Sequence, residues 1–280
     1  MKVDNAIILA AGVSSRFAPL SYERHKAMVE VRGEVLIERQ IRQLREAGIL
    51  EIYIVTGFKA EQFDYLQDKF GVKLIHNPDY LVRNNNSSIW AVKDILANSY
   101  ICSSDNYFAE NPFEAEVDES YYSAVYSEGY TGEWCMEEDG EGYIKSVTVG
   151  GENSWYMLGH TFWSKEFSKS FVKILLDEYD LPETPPKLWE NIYLAHLDEL
   201  KMKIRKYPEG QIFEFDTLDE LREFDESYVE DTRSEILKKV SAELGIHESD
   251  MVNIRAIKGE GLLPIGFEFD CSKGHYSYNY

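Results

Sequence analysis

Between residues 5 and 103 the chain repeats one unit: a short apolar run, a longer stretch with helical spacing, and another apolar run. The apolar runs fall at 5–10, 51–56, 72–76 and 99–103, and the helical stretches at 34–47, 60–69 and 87–97. Continuous apolar runs of this length read as strands buried on both faces, and crossovers of a dozen or more residues are what parallel strands require. The expected order is βαβαβαβ. Gly48 and Gly71 stand where a helix needs a left-handed residue to stop. The chain should therefore build an α/β fold, a Rossmann-like mixed, mostly parallel sheet flanked by helices.

After Asp105 the pattern shifts to shorter alternating segments at 121–126, 132–137, 143–149 and 155–163, which predict antiparallel or mixed additions to the sheet. Helices are expected at 165–178 and around 187–198, a strand at 203–207, a strand over 212–216 and a short helix over 217–224. This bounds a first domain at 1–225. Residues 226–280 read as a small α+β appendage, with a helix over 234–244 that Gly245 stops and strands at 252–257 and 264–270. It suits a packing or dimerisation element, and a homodimer is left open.

A net charge of −21 and the lack of any Lys/Arg cluster argue against nucleic acid as a partner. Cys102, Cys135 and Cys271 are too few and too irregularly spaced for a disulfide framework or a zinc site. No basic segment leads into a cleavable apolar one, and no apolar run is long enough to span a bilayer. The expectation is a cytoplasmic protein with no membrane insertion.

The residues that point to chemistry follow the predicted strands. The first run empties into Leu9-Ala10-Ala11-Gly12-Val13-Ser14-Ser15-Arg16, with Lys26 beyond. Small residues let backbone N–H groups approach an anion, and loops at the carboxyl ends of strands are where open α/β sheets place ligands. A plain strand-to-helix turn has the same composition, and the stretch fits neither the P-loop nor the dinucleotide fingerprint. Asp105 follows the run at 99–103 directly and would emerge at the same edge, either as a metal ligand or as a turn cap. Glu214 and Asp216, two apart, would share one face of a strand, as ligands of a cation or as a solvated edge. Asn84, Asn85 and Ser88 offer amides and a hydroxyl just before a helix, where N-caps are also found.

Leu9-Ala10-Ala11-Gly12 with Arg16, Pro19-Leu20 and Lys26, continued by Val29 to Gly33, Ile37-Glu38 and Gly48-Ile49, resembles the N-terminal signature of the nucleotidyltransferases that make NDP-sugars and CDP-alcohols. His25 stands where such proteins usually carry proline, a change in loop stiffness. The resemblance implies that Arg16 and Lys26 are catalytic and hold phosphates. It implies that Leu9, Ala10, Ala11, Gly12, Asn84, Asn85 and Ser88 lie near the nucleotide, and that Asp105 and Asp216, with Glu214 as companion, bind Mg²⁺.

Further along, Gly57, Phe63 to Leu66, Ala97 to Tyr100, Glu133-Trp134, Phe162-Trp163, Trp189-Glu190-Asn191 and Glu214 to Asp216 are similar to the cytidylyltransferases that act on phosphocholine, over nearly all of 1–224. This implies CTP and phosphocholine as substrates. A quaternary ammonium donates no hydrogen bond, so aromatic faces and carboxylates recognise it; Trp134, Trp189, Glu190, Glu128 and Tyr130 are the candidates. Leu188 replaces an aromatic residue of that family, which keeps phosphoethanolamine and 2-aminoethylphosphonate as alternative acceptors, and a sugar 1-phosphate as a further one. The segment from Ile254 to Phe269 also resembles, weakly, the opening helix and first hairpin of choline-kinase-like proteins.

Overall fold

The structure, a computed structural model, describes residues 1–259 and 262–280. The first apolar run is β1 (Asn5–Ala10), buried except at Leu9. After it come one helical turn, α1 (Leu20–Glu23), and a difference from the sequence reading. The helix expected from residue 34 begins two residues later, because β2 (Glu30–Val31) and β3 (Glu34–Val35) pair as a hairpin. Its turn, Arg32-Gly33, has φ of 50° and 82°, the two positive values that a tight hairpin turn needs. Only then does α2 (Leu36–Glu46) start.

Next come β4 (Ile52–Thr56), a 3-10 turn at Ala60–Phe63 with α3 (Tyr65–Phe70) in place of one helix, and β5 (Lys73–His76). α4 (Asn86–Val92) is shorter than expected, because the chain tightens at Ile95, whose N–H bonds back to the Val92 carbonyl. β6 (Ser99–Ser103) follows as expected, and β7 (Asn106–Phe108) is a strand that the pattern did not reveal. The four short segments between 121 and 163 are two long strands, β8 (Tyr121–Glu138) and β9 (Ile144–Trp163). The expected breaks are register shifts with Gly129 and Gly150 at φ of 76° and 80°, so the hairpin bends there without ending.

The order continues with α5 (Lys165–Glu178), α6 (Trp189–Ala195), β10 (Lys203–Tyr207), β11 (Ile212–Glu214), α7 (Leu218–Phe224) and α8 (Ser227–Glu230). It ends with α9 (Glu235–Leu244), β12 (Val252–Lys258), β13 (Pro264–Cys271) and an unforeseen β14 (Gly274–Asn279).

The main sheet has seven strands in the order β10-β8-β9-β6-β1-β4-β5. β1 is parallel to β4 and β6, and β5 continues parallel to β4; β9 is antiparallel to β6 and β8, which makes the sheet mixed as expected. α5 presents Phe167, Phe171, Ile174 and Leu175 at helical spacing to a core that also takes Ile7, Val55, Ile101, Trp163, Trp189 and Tyr193. Each such side chain contributes about 1.5–3 kcal/mol on burial.

Two compact units result. Met1–Gly12 and Glu38–Glu214 carry the seven-stranded sheet, while Val13–Ile37 folds with Phe215–Tyr280. In the second unit β12, β13 and β14 form an antiparallel sheet whose Phe267 and Phe269 are buried with Leu237, Met251 and Tyr228. Buried Arg222 on α7 knits this unit, donating to the carbonyls of Tyr228 (3.3 Å), Met251 (2.6 Å) and Glu248 (2.8 Å).

Candidate active site

In the second unit the stretch from Val13 through Lys26 ends on a cluster of opposite charges. Arg16 sits in the 3-10 turn Ser15–Phe17, and Lys26 opens another, Lys26–Met28. Their common partner is Asp216: Arg16 Nη1 lies 2.6 Å from Oδ2, and Lys26 Nζ 3.2 Å from Oδ1. Arg16 is exposed, whereas Lys26 is buried. A buried ammonium keeps its charge only beside an anion, so the Asp216 carboxylate is part of what makes Lys26 tolerable there. His25 also has a job: its Nδ1 accepts the Ala27 N–H at 3.1 Å and caps the turn, a bond that a proline in its place could not make.

Asp216 lies outside the expected strand. β11 ends at Glu214 because Thr217 caps α7, and Glu220 Oε2 accepts the N–H groups of Asp216 (2.6 Å) and Thr217 (3.1 Å). The helix start pulls the chain from the strand. Glu214 and Asp216 therefore have different partners, since Glu214 Oε2 accepts from Asn106 Nδ2 at 3.4 Å.

In the first unit, Leu9 is the register partner of Ser103, so Ala10-Ala11-Gly12 and Ser104-Asp105 leave the sheet at one carboxyl edge. A Cβ built on Gly12 would meet nothing within 4 Å, so the backbone there is open to approach. Asp105 is half-buried, and Glu214 pairs across from its neighbour Asn106. Among the described residues no three His, Cys, Asp or Glu side chains gather closely enough to hold a metal by themselves. A closed protein site is therefore absent among them. An all-carboxylate donor set still suits Mg²⁺, which is commonly bound by one or two carboxylates with substrate phosphates and water completing the shell.

The first unit also holds a carboxylate in an unusual setting. Glu190, at the start of α6, keeps partial exposure as a residue, but its carboxylate is deeply enclosed. Oε2 accepts from Asn85 Nδ2 at 3.2 Å and Oε1 from Tyr122 Oη at 3.4 Å. Desolvation pushes its carboxyl up to about 7, against the lowering by those hydrogen bonds. No cation pairs with it among the described residues. Tyr122, a supporting residue that sequence reasoning missed, carries no local signal, since it is one buried residue in a long strand.

Several expected residues turn out to be structural. Trp189 is buried, stacked on Tyr122 and edge-on to Trp163 and Phe171, so its indole belongs to the core. Asn84 bonds through its backbone N–H to the Pro185 carbonyl (2.8 Å) and through Nδ2 to that of Pro186 (3.2 Å). Ser88 is buried and accepts from Asn77 Nδ2 at 3.2 Å. Asn85 caps the other end of the same arrangement, its Oδ1 accepting the Trp189 N–H at 2.7 Å. Trp134 is half-buried on β8, and Glu128 and Tyr130 are exposed at the hairpin bend.

The first unit thus delivers a small-residue loop and Asp105 to one edge of its sheet, and the second holds Arg16 and Lys26 on a shared carboxylate. Known proteins show which family the chain belongs to. Residues 6–101 match the MobA-like NTP transferase domain. The chain is 34% identical to choline-phosphate cytidylyltransferase of Streptococcus pneumoniae over 79% of its own length and 96% of the relative's. It is also 34% identical to 2-aminoethylphosphonate cytidylyltransferase of Lancefieldella rimae, over 80% and 93%. The solved structure of the Streptococcus pneumoniae CTP:phosphocholine cytidylyltransferase superposes with a TM-score of 0.77, covering 81% of this chain and 99% of that one. The chain belongs to the same nucleotidyltransferase family as these cytidylyltransferases.

Proposed function

We propose that the protein is a Mg²⁺-dependent cytidylyltransferase that transfers CMP from CTP to phosphocholine, giving CDP-choline and pyrophosphate. The observation that carries this reading is the enclosed Glu190 carboxylate, held by two neutral donors and neutralised by no cation among the described residues. Such a group favours an acceptor that brings its own positive charge. A sugar acceptor would bring none. Trp134, Tyr130 and Glu128 are the proposed companions of Glu190; Trp189, expected among them, is taken up by the core.

Arg16 and Lys26 would bind the triphosphate, and the Leu9–Gly12 backbone would approach it. The acceptor phosphate needs no general base, because its second pKa of about 6 leaves it largely dianionic near neutral pH. One of its oxygens attacks the α-phosphorus in line, and the bond to pyrophosphate breaks. Positioning and charge stabilisation supply the rate. Asp105 and Asp216, with Glu214 as a further carboxylate, would hold Mg²⁺, which when bound spreads the charge of the phosphates. Cys102, Cys135 and Cys271 form no disulfide, in keeping with a cytoplasmic setting.

A second acceptor, 2-aminoethylphosphonate, is favoured by the equal identity to the Lancefieldella rimae relative. Its primary ammonium would donate directly to Glu190. A pyrophosphate-release assay crossing CTP and UTP with phosphocholine, phosphoethanolamine, 2-aminoethylphosphonate and glucose 1-phosphate separates the readings. Turnover should be fastest with CTP and phosphocholine; failure with every phosphoamine would refute both readings.

A further inference from the structure

We propose that residues 224–280 are a brace that fixes the phosphate-binding loop, so that Tyr280, Tyr228 and Asp225 act as positioning residues for Arg16 and Lys26. The loop alone has little to hold it. It runs from Val13 to Ile37 through two 3-10 turns, one short helix and a two-residue hairpin, none long enough to be stable by itself. Its two cations are long side chains that lose much rotamer freedom when ordered.

Contacts to the brace flank Lys26 on both sides. Before it, the Tyr22 ring stacks on Tyr280 at 3.3 Å between centroids and 21° between planes. Next to Tyr22, Glu23 Oε1 accepts the N–H groups of Glu235 (2.7 Å) and Ile236 (3.1 Å), so a carboxylate of the loop satisfies two orphan donors at the start of α9. After Lys26, Tyr228 Oη donates to the Glu30 carbonyl at 2.6 Å, and Arg233 lies 3.5 Å from the Glu30 carboxylate. The hairpin turn is caught as well: Asp225 Oδ2 accepts the Arg32 N–H at 2.7 Å, and the Arg32 guanidinium lies 3.8 Å from the Phe224 ring. β12 runs beside the 3-10 turn that carries Arg16.

These contacts run to backbone groups, rings and the Glu23 and Glu30 carboxylates, and none of them is made by the side chains of Arg16 or Lys26. They set where the loop stands, while its two cations pair with Asp216, outside the brace. The chain is also longer than the Streptococcus pneumoniae relative, 96% of which is matched by 79% of it.

The nucleotide half of the test rests on the proposed cytidylyl transfer, but a hydrogen-exchange measurement on the loop does not. In the full chain, Tyr280→Ala should speed backbone exchange across residues 13–33. It should also weaken binding of inorganic pyrophosphate and raise the CTP KM by roughly three- to tenfold, the worth of one aromatic contact, with the acceptor KM unchanged. Tyr280→Phe should restore all three. If Tyr280→Ala does not fold, Glu23→Gln, which keeps size and loses charge, should show the same split. Unchanged exchange in the loop, or equal rises in both KM values, would overturn the brace. Faster exchange in a protein that turns over no nucleotide would leave the brace standing and remove the proposed reaction.

Discussion

The side-chain amide of Asn85 faces Glu190 with its nitrogen, at 3.2 Å, because its oxygen is committed to the Trp189 N–H at 2.7 Å. The orientation of the amide is thereby settled, and the donor it turns to the carboxylate cannot be swapped for an acceptor. Residues 105 positions apart in sequence thus hold the group that the proposed reaction assigns to the acceptor.

Asn85→Asp should therefore damage acceptor binding more than nucleotide binding. It removes the donor and sets a second carboxylate against Glu190, and an enclosed group that loses its partner costs about 1–3 kcal/mol, or roughly five- to 150-fold. Steady-state kinetics should show that loss in kcat/KM for the acceptor with the CTP KM little changed. An equal rise for CTP would return Asn85 to the nucleotide site that the family resemblance implies.

Acceptor binding should depend on pH through Glu190, whose carboxyl is pushed up to about 7, chiefly by desolvation. A cationic acceptor prefers the ionised form, so its KM should fall as pH rises toward 7 and level off above it. Glu190→Gln should leave only the shallower dependence of the acceptor phosphate itself. The stability effect has the opposite sign. A folded pKa above the unfolded value means that the folded state binds more protons between the ordinary carboxylate range and 7, so stability falls as pH rises through that window. Urea midpoints of wild type and Glu190→Gln from the ordinary carboxylate range up to pH 7 would check it; parallel curves there would count against the enclosed carboxylate.

Asp216→Asn should separate binding from turnover. In the structure the carboxylate occupies Arg16 at 2.6 Å and Lys26 at 3.2 Å, so a polyphosphate must compete with it for both cations. Removing its charge should tighten inorganic pyrophosphate binding in the presence of EDTA, read by calorimetry, while abolishing turnover with Mg²⁺. Weaker metal-free binding would mean that Asp216 orders the two cations more than it competes for them.

Arg222→Met should destabilise the second unit without touching the charged cluster. Three carbonyls lose their donor, those of Tyr228, Met251 and Glu248. Breaking a buried charged hydrogen-bond set of this kind costs about 3–5 kcal/mol. Denaturant unfolding followed by hydrogen exchange should show the loss in residues 215–280; a drop below about 1 kcal/mol would mean that water replaces the guanidinium.

The legible parts of the fold were those written in local periodicity. Runs of apolar residues gave β1, β4, β5 and β6 nearly to the residue, and α5, α7 and α9 began where Ser164, Thr217 and Ser234 offered caps. Periodicity misleads where two local signals compete. Glycines at 129 and 150 look like strand ends but are bends in a continuous hairpin, and the capping box at Thr217 ended a strand that the alternation of residues 212–216 would have continued.

The sequence by itself determined the alternating sheet, the edge at which the small-residue loop and Asp105 emerge, and the identity of the charged residues. Only the tertiary structure decided who meets whom. Asp216 joins Lys26 across 190 residues, Glu190 joins Asn85 across 105, and Trp189 goes to the core instead of standing open beside an acceptor. The physical reason is that burial leaves a periodic trace along the chain, because it repeats with the geometry of the strand or helix. A hydrogen bond or ion pair between distant segments repeats with nothing, and its partners are chosen by the path of the backbone between them.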